Sequence, residues 1–196
     1  MNLLDIKPEI DKTWTLFLDR DGVVNIESVG SYITSWQEFM YHDGVLEALS
    51  TLNSRFGRIV IVSNQRGVGR GIMTMESLRD INKNMRESVE ANGGRIDKIY
   101  NCTAVTDDDH NRKPNTGMGL QAQQDFPEID FRKSVMVGNS ISDMEFGKRL
   151  SMHTVFLTTK HGPFSLPHDL IDEQYDSLAQ WTKTISAAGL VSVPAM

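Results

Sequence analysis

Four short apolar runs, each breaking off into polar residues, constrain this chain more than any other feature. Leu16-Phe17-Leu18 runs into Asp19-Arg20-Asp21-Gly22, and Ile59 to Val62 runs into Ser63-Asn64-Gln65-Arg66-Gly67. Ile96 to Cys102 precedes a polar loop closing on Arg112-Lys113-Pro114, and Ser134 to Val137 precedes Gly138-Asn139-Ser140-Ile141-Ser142-Asp143. Brief apolar stretches bounded by turn residues read as strands buried on both faces. The expected strands are Trp14–Leu18, Arg58–Val62, Ile96–Cys102, Ser134–Val137 and His153–Leu157. Helical spacing fills the intervals. Val45, Leu46, Leu49 and Leu52 form one apolar face; Leu78, Ile81, Met85 and Val89 form another, capped by Thr74 and stopped at Gly93-Gly94. Helices are also expected over Gly117–Phe126, through Phe146 and Leu150, and near Leu178–Ala187, before a frayed end at Val191–Met196. Alternation of this kind predicts an α/β protein with a three-layer, doubly wound parallel sheet and right-handed crossovers. All the polar strand ends then meet at one edge, where open sheets bind their ligands.

At 196 residues the chain suits one domain. The expectation is a single unit over 1–196, with a lead-in at 1–13 and a C-terminal loop and helix at 160–196. The intervals between the polar strand ends are filled by one loop and one or two helices, so no room remains for a large cap domain. A net charge of -6 argues against a nucleic-acid backbone as the principal partner. The lone Cys102 cannot form an internal disulfide or hold zinc unaided, so no zinc is expected. The N-terminal residues carry charges and Pro8 where a secretory signal would have its apolar core, and no apolar run approaches membrane-spanning length. A cytoplasmic protein with no membrane partner is expected, as a monomer or small homo-oligomer.

The strand ends carry the chemistry. Asp19 and Asp21 share a strand face. Two carboxylates so close repel, and want either a divalent cation or a retained proton; the plainer reading makes them turn or cap residues. Ser63, followed by backbone amides and glycines, can hold a phosphate oxygen. A Walker A lysine is missing there, which excludes triphosphate hydrolysis of that type. Arg112 and Lys113 bring cations to a helix entrance, where they can neutralise a phosphoryl group. Asp107-Asp108-Asp109-His110 resembles a metal cluster, but consecutive residues rarely converge on one ion, and a solvated loop tip is expected. The loop Asp19–Tyr41 holds Gly30, Ser31, Tyr32, Trp36 and Phe39; it either contacts the non-phosphate part of a substrate or is pinned by its own aromatics. His42, His110, His153, His161 and His168 have no catalytic spacing. Together the strand ends offer a nucleophile (Asp19), a proton-transfer group (Asp21), a hydroxyl (Ser63), cations (Arg112, Lys113) and magnesium ligands (Asp19, Asp143 and Asn139). That set suits phosphoryl transfer.

In order, Asp-x-Asp-Gly-x-x-Asn, Ser-Asn-Gln, Arg-Lys-Pro and Gly-Asn-x-x-x-Asp resemble the motifs of the haloacid dehalogenase superfamily of phosphatases, over Trp14 to Thr159. Within it, Leu18–Asn25, Ser63–Gly71 and Arg112–Gly117 are similar to the D-glycero-D-manno-heptose 1,7-bisphosphate phosphatases, with the histidinol-phosphate phosphatases as neighbours. The resemblance implies a magnesium-dependent phosphatase of a small phosphorylated metabolite, a sugar bisphosphate or, as the alternative, histidinol phosphate. Asp19 would form an aspartyl phosphate, and Asp21 would serve as acid and then base. Ser63, Arg112 and Lys113 would hold phosphoryl oxygens, with Asn64, Gln65, Arg66 and Ser140 at the substrate, Asn64 and Gln65 also orienting the site. Magnesium would take Asp19, the backbone carbonyl of Asp21, Asn139 and Asp143. Two departures stand out. Asn139 occupies a position where the family usually has aspartate, which leaves open a phosphate-binding sensor with impaired turnover. The cysteine-and-histidine zinc loop common in the heptose phosphatases is reduced to Cys102, so the loop before Arg112 should be ordered differently.

Overall fold

The structure, a computed structural model, describes residues 8–28 and 30–188. The start of the expected lead-in, residues 1–7, and the expected frayed end at 191–196 lie outside the described residues. The strands are β1 (Thr15–Leu18), β2 (Arg58–Asn64), β3 (Lys98–Cys102), β4 (Ser134–Gly138), β5 (His153–Leu157) and β6 (Glu173–Tyr175). The helices are α1 (Val45–Arg55), a single turn α2 (Arg66–Gly69), α3 (Met75–Ala91), α4 (Gly117–Asp125), α5 (Ile141–Arg149) and α6 (Leu178–Ala188). The sheet has six strands in the order β3-β2-β1-β4-β5-β6, every pair parallel. This is the expected doubly wound α/β fold, and its strand order reverses between β1 and β4. The C-terminal region corrects one expectation: β6 adds an edge strand where only loop and helix were anticipated.

Period-two alternation explains the three layers. Leu16, Leu18, Ile59, Ile61, Val135, Val137, Val155 and Leu157 point to one face, joined there by Val45, Leu49 and Leu52 of α1, Leu78, Ile81, Met85 and Val89 of α3, and Leu178 and Trp181 of α6. Phe17, Val60, Val62, Met136 and Phe156 point to the other, against Met118 and Ala122 of α4 and Met144 and Phe146 of α5. Both faces of each central strand are buried, as an all-parallel sheet requires. The Thr74 hydroxyl accepts from the Ser77 amide at 3.0 Å and caps α3. Of the segments between strands, that from Asp19 to Gly44 is a loop with one 3-10 turn at Trp36–Glu38, and no inserted domain occurs among the described residues. No described helix is long and apolar enough to cross a membrane.

Candidate active site

β1 and β4 are neighbours, so their carboxyl ends open side by side at the point where the strand order reverses. The amide of Asp19 completes the ladder by donating to the Val137 carbonyl at 3.0 Å. The two strand ends bound a cleft of about 470 Å³, lined among others by Asp19, Asp21, Asn64, Gln65, Arg66, Arg112, Lys113, Asn139 and Asp143. Ser63 is buried just behind it.

Lys113 is the centre of the cleft floor. Its ammonium, only 1% exposed, sits 3.0 Å from Asp19 Oδ1 and 2.7 Å from Asp143 Oδ1. Burial disfavours its charged form, but the two carboxylates outweigh that and raise its pKa. Burial, with the charges of Asp143 and Asp21, outweighs the pull of Lys113 and raises the Asp19 carboxyl to about 7. Asn64 holds the Lys113 backbone from both sides, accepting its N–H at 3.1 Å and donating to its carbonyl at 3.0 Å.

Asp21 is held differently from Asp19. Arg20, 1% exposed, turns back and donates Nη2 to both Asp21 oxygens at 2.8 Å. Asn25 donates to Oδ1 at 3.0 Å, and Gln65 donates to Oδ2 at 2.8 Å. Burial pushes the Asp21 carboxyl up, yet Arg20, Asn25 and Gln65 together hold it below the ordinary carboxylate range. Two aspartates separated by one residue are thus driven in opposite directions by their surroundings. Gln65 also donates to the Ser63 hydroxyl at 2.8 Å, linking β2 to Asp21. The buried Arg20 was not assigned a role from sequence. Its signal there is an arginine between two acids at a strand end.

After β4 the chain enters α5 through a capping box. Asp143 Oδ2 accepts from the Ser140 amide at 3.0 Å and from its hydroxyl at 2.7 Å. Both Asp143 oxygens are therefore engaged, one by the cap and one by Lys113, and the Ser140 hydroxyl serves the cap. Gly138 makes room for this: a Cβ there would lie 2.3 Å from Asp143 Cβ. Gly22, with φ of 80°, does the same for Asn139, because a Cβ would fall 1.8 Å from Asn139 Nδ2.

Arg66 and Arg112 line the cleft rim, and both pair with Asp107, whose side chain is 84% exposed. Arg70 donates to the Tyr32 hydroxyl at 3.0 Å on the same rim. Trp36 stacks on Phe39 at 4.9 Å, so aromatics brace the loop while Tyr32 reaches the cleft. In the acidic tip, Asp107 pairs with arginines, and Asp109 accepts from the Asn111 amide at 2.8 Å and the Cys102 thiol at 3.5 Å. No group of three or more His, Cys, Asp or Glu side chains gathers for a metal among the described residues. The donors at β1 and β4 are nonetheless all oxygens: the Asp19 carboxylate, the Asp21 carbonyl and the Asn139 amide. Such a hard set fits magnesium, which needs only one or two carboxylates.

Comparison with known proteins agrees with this geometry. Residues 15–166 match the family model described as polynucleotide kinase 3 phosphatase. The D-glycero-D-manno-heptose-1,7-bisphosphate 7-phosphatase of Chlorobaculum tepidum is 31% identical over 83% of this chain and 91% of its own. The D-glycero-beta-D-manno-heptose-1,7-bisphosphate 7-phosphatase of Yersinia pestis is 33% identical over 88% of this chain and 95% of its own. The crystal structure of D,D-heptose 1,7-bisphosphate phosphatase from B. bronchiseptica, complexed with magnesium and phosphate, superposes with a TM-score of 0.80 at 25% identity, covering 89% of this chain and 99% of that one. By sequence, fold and the order of its strand-end motifs, the chain belongs to the haloacid dehalogenase superfamily of phosphatases, beside the heptose-1,7-bisphosphate 7-phosphatases.

Proposed function

We propose that this phosphatase hydrolyses one phosphomonoester of a sugar bisphosphate, of the kind the heptose-1,7-bisphosphate relatives act on, with magnesium and through an aspartyl phosphate on Asp19. The observation that carries the reading is the unlike treatment of Asp19 and Asp21. Lys113 stands beside Asp19 at the cleft floor, whereas Arg20, Asn25 and Gln65 enclose Asp21.

In the proposed reaction an Asp19 oxygen attacks phosphorus and the ester oxygen leaves as an alkoxide, which takes a proton from Asp21. Arrival of an anionic phosphoryl group beside Asp21 raises its proton affinity, countering Arg20. Once the alcohol departs, Asp21 as carboxylate removes a proton from water, which attacks the aspartyl phosphate and releases phosphate. Ser63, Lys113 and Arg112 would hold the phosphoryl oxygens while their charge redistributes. Asn64 would fix Lys113, Gln65 would fix Asp21 and Ser63, and Ser140 would act through the α5 cap that holds Asp143. Asp19, the Asp21 carbonyl and Asn139 would hold magnesium; Asp143 would join them only by releasing Lys113 or the cap. When bound, the ion supplies positive charge to the attacking and transferring oxygens. Arg66, Arg70, Arg112 and Lys160 line the cleft beyond Lys113 and favour a substrate with a second anionic group.

Asn139 favours one other reading, a phosphate-binding sensor, since an amide brings no charge to the cation. Phosphate release from heptose 1,7-bisphosphates of both anomers, histidinol phosphate, common sugar monophosphates and a 3′-phosphorylated oligonucleotide, with magnesium and then with chelator, separates these. Magnesium-dependent turnover fastest on a bisphosphate is the expected result. Preference for histidinol phosphate or the oligonucleotide overturns the substrate class, and phosphate binding without turnover on any member makes the protein a sensor.

A further inference from the structure

Asn139 is 98% buried in effect, with 2% exposure, and its amide nitrogen has one described acceptor: Glu27 Oε2 at 3.3 Å. A carboxylate only accepts, so this contact assigns the nitrogen to the Glu27 side. The amide oxygen accepts no hydrogen bond among the described residues, and Asn139 lines the cleft. An amide has two chemically opposite ends, and only the oxygen can face a cation. Left to itself it could present either.

Glu27 is well placed to make that choice. Its neighbour Ile26 is pinned to the Met40 carbonyl at 2.8 Å, and the Asn25 amide group donates to the Ile26 carbonyl at 3.0 Å. Glu27 Oε1 pairs with Lys160 at 2.6 Å, and the adjacent Thr159 hydroxyl donates to the Gly22 carbonyl at 2.6 Å. The loop after β1 and the loop after β5 thus meet over Asn139, with a carboxylate between the amide and a lysine. Glu27 is 27% exposed and lines the same cleft.

We propose that Glu27 is a positioning residue for the magnesium site: it fixes the flip of Asn139 so that its oxygen faces the cation, and it supplies from just outside the donor set the negative charge that position 139 lacks. Geometry and charge, which one aspartate would provide together, are divided here between two side chains. Lys160 balances Glu27 and so weakens its pull on the cation. The inference rests on the magnesium-dependent reading above.

The test uses the full chain and Mn²⁺ as probe, with affinity read by titration calorimetry in the absence of substrate. Glu27→Ala removes both functions and weakens Mn²⁺ binding at least tenfold, the effect expected of groups that orient metal ligands. Glu27→Gln keeps an acceptor for the amide and loses only the charge, so its loss is smaller. Asn139→Asp gains more affinity in the Glu27→Gln background than in the parent, where Glu27 repels the new carboxylate. Lys160→Met tightens binding, an independent readout that leaves Glu27 in place. Unchanged affinity in Glu27→Ala and Lys160→Met, with the parent binding Mn²⁺, overturns the role of Glu27 alone. A parent that binds no Mn²⁺ at millimolar concentration overturns the magnesium reading with it.

Discussion

Asn64 and Lys113 are joined by two hydrogen bonds, amide oxygen to backbone N–H at 3.1 Å and amide nitrogen to backbone carbonyl at 3.0 Å, so the end of β2 fixes the residue at the centre of the cleft floor. Asn64→Ala therefore loses about 1 kcal/mol per bond, a modest cost to the fold. The larger effect falls on Lys113, whose ammonium must stay between Asp19 and Asp143. The expected outcome is a fall in kcat of about 10- to 100-fold, as for a displaced positioning contact, with Mn²⁺ affinity near that of the parent. A variant that melts lower and turns over normally would separate Lys113 placement from Asn64.

Asp19 should weaken the fold it serves. Its carboxyl is pushed up to about 7 by burial, above the ordinary value, so between roughly pH 4 and pH 7 the folded chain binds a proton that the unfolded chain has lost. That contribution is fully favourable at low pH and is lost as pH rises through the folded value. Asp19→Asn removes the buried charge while keeping the shape. In chelator at pH 8 its melting temperature should equal or exceed the parent's, with the gain shrinking towards pH 5, and turnover should vanish. A gain of several degrees corresponds to about 1–2 kcal/mol. Full activity would take Asp19 out of the mechanism, and a gain that grows on acidification would refute its raised pKa.

The sheet was legible because its strands are apolar on both faces: Ile59 to Val62 and Val135 to Val137 can hardly be anything else in a chain of this length. β6 was not, since Glu173-Gln174-Tyr175 is three residues of mixed polarity whose pairing is decided by β5. Asp172 anchors that edge from outside the strand. The strand-end acids and Lys113 were legible from their positions alone. Arg20 and Glu27 were not, because their parts depend on which way a side chain turns, Arg20 back onto Asp21 and Glu27 across to Lys160. Asp107 read as part of a solvated tip because consecutive acids rarely converge on one ion, and only the fold brings Arg66 and Arg112 to it.

Asp172 sets part of the acid limit of stability. Lys148 Nζ lies 2.6 Å from both its oxygens, and the Thr154 amide donates to Oδ2 at 2.8 Å. Burial raises its carboxyl, but these partners outweigh it and the folded pKa is lowered. A lowered value means stability that is present above the unfolded pKa near 4 and lost as pH falls through the folded one. The side chain is 34% exposed, so screening limits the contribution to about 1 kcal/mol. Asp172→Asn should cost roughly that at pH 7 and flatten the loss of melting temperature between pH 5 and pH 3. An unchanged acid slope would show that β6 docks without this pair.

Asp107 bears on substrate charge. It contacts both rim arginines, yet at 84% exposure its hold on them is weak, because exposed ion pairs contribute little. Its charge, by contrast, lowers the positive potential facing an incoming phosphorylated substrate. Arg66 and Arg112 are themselves mostly buried, at 22% and 13% exposed, and keep their places through packing as well as pairing. Asp107→Ala should therefore lower KM for a bisphosphate severalfold at low ionic strength while leaving kcat near the parent's. Screening shortens the reach of the removed charge to about 3 Å at 1 M salt, so the difference should vanish there. Comparing KM at two salt concentrations checks it. A rise in KM that persists at high salt would mean that Asp107 orients the arginines, and that order at the rim matters more to the substrate than its net charge.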